Sequence, residues 1–170
     1  VVDVARALGV SHTAVYRHVA TKAELRDLVV QTWVETTMPE LRAIATSRPS
    51  APARLRKFYT SLREMKRRRA AEDPELFAAY RTLCVEATSV SEAHVAELIA
   101  LTAAIIRAGV EEGSFRPVDP LTTARAVLYA TSRFHHPAHF AEWVDPRIDA
   151  TFDDVWRMLM DGLATSKKRR

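Results

Sequence analysis

Cysteine is almost absent from this chain of 170 residues: Cys84 stands alone. A lone thiol forms no internal disulfide and no Cys-x-x-Cys metal site, which fits a reducing cytoplasm. Glycine is scarce as well, with 4 residues, so Gly-rich phosphate-binding loops have almost nowhere to form. No P-loop, GxGxxG, HExxH or GxSxG string occurs, and no enzyme activity or cofactor is expected. No uninterrupted run of about 18 apolar residues occurs, which excludes a membrane-spanning helix on that criterion. The chain opens Val1-Val2-Asp3 with no initiator methionine and no signal-peptide pattern, so further residues are expected before it.

An excess of one charge is also missing once the charges are located. The formal net charge is +4, and the tail Lys167-Lys168-Arg169-Arg170 supplies all of it. Residues 1–46 balance five basic against five acidic side chains. Bulk charge therefore says nothing about nucleic acid, and any such reading rests on local pattern. What is present is an ordinary globular composition, 48% hydrophobic and 27% charged, which excludes a disordered chain.

Helix signals run through the whole length. Residues 2–8 form a short helix stopped by Gly9, and Ser11 is a natural N-cap for 12–19. Thr21-Lys22-Ala23-Glu24 is a capping box that opens a helix toward residue 37, with Pro39, Pro49 and Pro52 marking a break. Leu55, Phe58, Leu62 and Met65 make one face of a helix over 52–70. Asp73-Pro74 restarts the chain with apolar positions Leu76, Phe77, Tyr80, Leu83 and Cys84. Ser91 can cap a long helix carrying Val95, Leu98, Ile99, Thr102, Ile105 and Ile106 and ending near Gly113. Asp119-Pro120 starts another, with Leu121, Ala124, Val127, Leu128 and Thr131 inward, interrupted by Pro137. Asp145-Pro146 opens the last helix, to about residue 165. No convincing strand competes, and the chain reads as all-α.

Two short helices joined by a tight glycine turn form a helix-turn-helix, in which the second helix offers its N-terminal residues to base edges. Val4, Ala5 and Leu8 face inward, while Val10 and Val15 pin the second helix. His12, Thr13 and Arg17 are left outward as base readers, since an arginine pairs bidentately with guanine. Tyr16, His18 and Lys22 stand where phosphate contacts would fix the register.

The string Val4-Ala5-Arg6-Ala7-Leu8-Gly9-Val10-Ser11, then Val15-Tyr16-Arg17-His18-Val19, then Thr21-Lys22-Ala23-Glu24-Leu25, closely resembles the TetR family of bacterial transcriptional repressors. A second resemblance lies in Gly109-Val110-Glu111-Glu112-Gly113-Ser114-Phe115-Arg116-Pro117-Val118-Asp119-Pro120, similar to a link between two helices of the family's ligand-binding domains. The two blocks touch about a fifth of the chain. The resemblance implies an N-terminal helix-turn-helix DNA-binding unit, residues 1–46, and a larger helical-bundle ligand-binding and dimerisation domain, residues 47–170. It also implies a homodimer on a pseudopalindromic double-stranded DNA operator, released by a small effector. The family's first helix is missing, Ala14 stands where a hydroxyl residue often contacts phosphate, and Val1 and Val2 offer no hydroxyl.

Candidate pocket residues are the inward positions Phe58, Leu62, Met65, Phe77, Tyr80, Cys84, Ile99, Thr102, Ile106, Phe115 and Tyr129. Such a wall suits a hydrophobic effector. The last helix carries Ile148, Phe152, Val155 and Leu159, widened by Trp156, Met160 and Leu163. That face is broader than one neighbour requires, so it is expected to bury against its own domain and a second copy through the 120–135 helix. His135, His136, His139 and Glu142 offer metal-ligand chemistry, yet Pro137 separates 135 from 139 on any one helical face. Arg133 could meet an anion or a carboxylate. Lys66-Arg67-Arg68-Arg69 reads as helix-end cations pairing with Glu72, Asp73 or a neighbouring helix. The functional expectation is a cytoplasmic, ligand-responsive repressor with no membrane partner; the alternative is a dimeric ligand- or metal-binding sensor or adaptor without sequence-specific DNA binding.

Overall fold

The computed structural model describes residues 22–74, 77–78, 80–81 and 89–165. The expected helices over 2–8 and 12–19, and with them His12, Thr13, Tyr16, Arg17 and His18, lie outside the described residues, as do Leu76, Leu83 and Cys84. The described residues form helices α1 (Lys22–Ala45), α2 (Ala51–Glu72), α3 (Ser89–Glu111), α4 (Pro120–Ala130) and α5 (Ile148–Leu163). Two 3-10 turns, Ser132–Phe134 and Pro137–Glu142, join α4 to α5. Helical residues 74, 77–78 and 80–81 follow α2, with the Phe77 N–H donating to the Asp73 carbonyl at 3.0 Å.

Helix α1 runs past its expected end and carries Pro39 in its interior. A proline there removes one N–H donor and crowds the carbonyl four residues back. Met38 and Leu41, both fully buried, outweigh that local penalty by anchoring the helix in the core on either side. The true break falls at 46–50, where Ser47 Oγ donates to the Ile44 carbonyl at 2.7 Å. Pro52 sits in the first turn of α2, where no N–H is needed. All four residues of the expected α2 stripe are buried, and Tyr59 is buried beside them. Its ring meets Trp156 of α5 at 5.7 Å and its hydroxyl pairs with Thr102 of α3 at 3.1 Å.

Helix α3 packs on α1, α2 and α4 and is the centre of the bundle. It begins two residues before Ser91. By length and composition α3 is apolar enough to cross a membrane, with mean hydropathy 1.6 in its most apolar window. That corrects the expectation from run length, because isolated polar residues interrupt the run without much lowering its average. Its Leu98, Ile99, Ala103, Ile105 and Ile106 belong to the main hydrophobic core.

The link after α3 shows why two glycines are four residues apart. Gly113 adopts φ +71°, open to glycine without a Cβ penalty, and the chain turns back so that the Phe115 N–H donates to the Gly109 carbonyl at 2.9 Å. The Phe115 ring then lies against Gly109, where a Cβ would meet a ring carbon at 2.1 Å. Arg116 ties this link to the end of α5 through its N–H on the Leu163 carbonyl at 2.9 Å. Asp119 caps α4, accepting from the Thr122 N–H at 2.7 Å, with Pro120 in the first turn. Helix α4 ends at Ala130, seven residues before Pro137, where the chain tightens into a 3-10 turn and Thr131 Oγ1 donates to the Val127 carbonyl at 2.8 Å. Leu121 faces outward at 50% exposure.

Asp145 accepts the Arg147 N–H at 2.8 Å, a turn that delays the start of α5 to Ile148. The buried side of α5 holds Ile148, Phe152, Trp156 and Leu163, with the Phe152 ring edge-on to Phe134 at 5.2 Å. Val155, Leu159 and Met160 are half-buried at its flank, and Met158 is exposed.

Candidate ligand pocket

A cavity of about 580 Å³ opens between the N-terminal half of α3, the C-terminal parts of α2 and α4, and the turns that follow α4. Val30 of α1 and Tyr80 complete the wall. Its apolar side is built by Val30, Val95, Leu98, Ile99, Leu128 and Pro137, and its polar side by Lys66, Tyr80, His94, His135 and His136. Ser91, Glu92, Ala96, Arg125, Tyr129 and Ser132 also border it.

Of the pocket candidates drawn from the sequence, Tyr80, Ile99 and Tyr129 border this cavity. Phe58, Leu62, Met65, Ile106 and Phe115 fill the main core instead. Phe77 sits in a second cluster with Val30, Ala70, Tyr80 and Trp143, its ring 5.9 Å from that of Trp143. Thr102 is fully buried on the Tyr59 hydroxyl.

The basic run at the end of α2 divides by helical rotation. Arg67 turns to Asp149 of α5 at 2.8 Å, joined there by Arg63, and Arg68 approaches Glu72 at 3.9 Å. Lys66 turns inward, against its reading as a helix-end cation: it is 4% exposed, and its ammonium donates to the Tyr80 hydroxyl at 2.7 Å. Sequence reasoning missed this residue and His94, although both sit on apolar stripes: Lys66 four residues after Leu62, His94 four before Leu98.

The histidine run divides in the same way. His135 is buried against the Tyr59 ring, with Nε2 3.3 Å from Thr131 Oγ1. His136 accepts the Ala138 N–H on Nδ1 at 3.2 Å, which leaves the proton of a neutral ring on Nε2. His139 faces away, with Nδ1 2.7 Å from Glu142, whose other oxygen pairs with Arg133 at 2.5 Å. The His139 hydrogen bond first, and the Arg133 charge after it, hold the Glu142 carboxyl below its usual range. Among the described residues no three His, Cys, Asp or Glu side chains converge as a metal site.

Burial pushes His94 down to about 3, with the Lys66 charge adding to it. Burial does the same to His135, also to about 3, with Lys66 and His136 contributing. His136 is lowered by burial, then by Lys66 and His139. At neutral pH the pocket therefore presents three uncharged imidazoles.

A family model described as the tetracyclin repressor-like C-terminal domain matches residues 51–156. No curated relative matches the sequence significantly. Among solved structures, a TetR/AcrR family transcriptional regulator from Thermobifida fusca is 19% identical, with 98% of this chain and 85% of that one covered at a TM-score of 0.63. The TetR family regulator PfmR from Thermus thermophilus is 21% identical, covering 95% and 87% at a TM-score of 0.64. A ketosteroid transcriptional regulator of Mycobacterium tuberculosis is 16% identical, covering 95% and 83% at a TM-score of 0.61. The match over residues 51–156 spans more than half of the chain, and with this helical architecture it places the protein: it belongs to the TetR family of transcriptional regulators.

Proposed function

We propose that this protein is a ligand-responsive repressor that binds a pseudopalindromic operator as a homodimer and lets it go when a largely apolar small molecule fills the pocket. The observation that carries the reading is Val30: the helix leading from the N-terminal unit into the bundle supplies part of the pocket wall itself. A ligand against Val30 bears on α1, and α1 carries whatever precedes Lys22. In this reading residues 1–46 are the DNA-binding unit and 47–170 the effector and dimerisation domain. His12, Thr13 and Arg17 read bases, and Tyr16, His18 and Lys22 hold phosphates.

The dimer forms through α4 and α5. Leu121, Tyr129 and Met158 are exposed there at 50%, 61% and 67%, and Val155 and Leu159 continue the same apolar flank of α5. Two reading heads must match major grooves about 34–36 Å apart. A ligand that favours a different α1 position lowers affinity by as much as it prefers that state. The test is fluorescence anisotropy on an operator duplex with the pocket empty and with it saturated by decanol or decanoate, whichever binds. The expected change is a tenfold or greater loss of DNA affinity, about 1.4 kcal/mol of coupling. Unchanged affinity at saturation contradicts the switch.

A further inference from the structure

Three imidazoles border the cavity, near enough to one another that His94 and His136 both act on the charge state of His135. They differ in what the fold leaves them to bond. His135, 7% exposed, lies against the Tyr59 ring with its Nε2 3.3 Å from Thr131 Oγ1. His136 accepts the Ala138 N–H on Nδ1 at 3.2 Å, which leaves Nε2–H as the donor of its ring. His94, 8% exposed, has a buried Nδ1 with no hydrogen-bond partner among the described residues. A buried polar atom in that state is a standing cost to the fold, and a bound partner removes it.

Burial lowers both His94 and His136, so each ring is neutral at neutral pH and carries one N–H and one lone pair. A hydroxyl donates and accepts through one atom. It therefore meets His94 in either tautomer while accepting from His136. An ether oxygen or a carboxylate only accepts, and meets His94 in one tautomer alone.

We propose that the pocket takes an aliphatic alcohol, its hydroxyl hydrogen-bonded to His94 and His136 and its chain laid along Val30, Val95, Leu98 and Ile99. This rests on the reading of the cavity as the effector site and names the ligand class it serves. The apolar side supplies affinity in proportion to the chain length it covers, and the imidazoles select the head group. A cavity of about 580 Å³ lies in the range that encloses a molecule of this size.

The test is isothermal titration of the whole protein with decanol, with its isomer methyl nonyl ether, which lacks the donor, and with decanoate. Wild type is compared with His94→Leu and with His94→Asn, which keeps a polar atom near the place of Nδ1. The expected result is decanol binding about fivefold or more tighter than the ether, and tighter than decanoate. In His94→Leu the preference over the ether falls to within about twofold while the ether binds as before, which shows that the variant keeps its pocket. His94→Asn is expected to retain part of the preference. Equal binding of decanol and the ether by the wild type, decanoate as the tightest of the three, or a preference that survives His94→Leu overturns the alcohol assignment and leaves the cavity as an effector site. Binding of none of the three probes overturns both readings.

Discussion

Lowering the pH from 7.5 to 5 forces the fold to choose between protonating two buried imidazoles and giving up its structure. His94 and His135 are held to about 3 in the folded protein, chiefly by burial. In the unfolded chain each returns to about 6.5. Both are thus neutral in the fold and protonated in the unfolded chain at pH 5. Their contribution to stability is complete above about pH 6.5 and is lost progressively as the pH falls toward 3, because the unfolded state binds more protons throughout that window. At pH 5 each histidine weakens the fold by on the order of 2 kcal/mol, and the pair by roughly 4 kcal/mol, a large part of a typical 5–15 kcal/mol. For a chain of this size that corresponds to a fall in Tm of about 8–16 °C. The carboxylates held low in the fold, Glu142 and Asp149 among them, lose their share only at lower pH, so the window from 6.5 to 5 reports the histidines. Urea denaturation followed by circular dichroism at constant ionic strength measures the effect, and His94→Leu should clearly reduce its pH dependence. A stability that stays flat between pH 7 and pH 5 refutes the reasoning.

Gly109→Ala places a Cβ 2.1 Å from a ring carbon of buried Phe115 and 2.9 Å from the Ala51 Cβ, so it should lower stability by about 1–3 kcal/mol in urea denaturation. Tyr59→Phe leaves the Thr102 hydroxyl buried without its 3.1 Å partner and should be destabilising by about 1–3 kcal/mol. Adding Thr102→Val should recover much of that loss, and a fully additive double variant contradicts the pairing. Met158→Glu, at a position 67% exposed on α5, should leave the fold intact and shift the mass measured by light scattering from dimer to monomer; an unchanged mass moves the interface elsewhere.

Much of the architecture is written locally in the chain. The link from Gly109 to Pro120 can be read residue by residue: a positive-φ glycine, a glycine with a phenylalanine laid on it, an aspartate cap and a proline in the first turn. The stripe of α2 is equally clear, since apolar residues at helical spacing have one place to go. Pro39 misleads because its cost is local whereas its compensation, the burial of Met38 and Leu41, comes from distant helices. The end of α4 misleads as well: the helix gives way to a 3-10 turn at Ser132, before Pro137 is reached.

The pocket was only partly legible. Tyr80, Ile99 and Tyr129 could be found as inward or amphipathic positions, but an apolar stripe cannot tell a core filler such as Leu62 from a wall residue such as Ile99. Lys66 was hidden inside a run of four cations whose average looks solvated, although its place between Leu62 and Ala70 on one helical face points it into the bundle. His135 and His136 offer imidazoles in the sequence, but only the fold shows that burial keeps both neutral, with Lys66 close by.

The central claim, that this chain reads DNA and does so as a dimer, is tested most directly by selecting bound fragments from a random duplex library with the purified protein. The account predicts an enriched pseudopalindrome whose half-site centres lie about 10–10.5 base pairs or a multiple apart. Affinity for it should fall steeply with salt and drop further with Tyr16→Phe or Lys22→Ala. A folded dimer that enriches no sequence contradicts the claim.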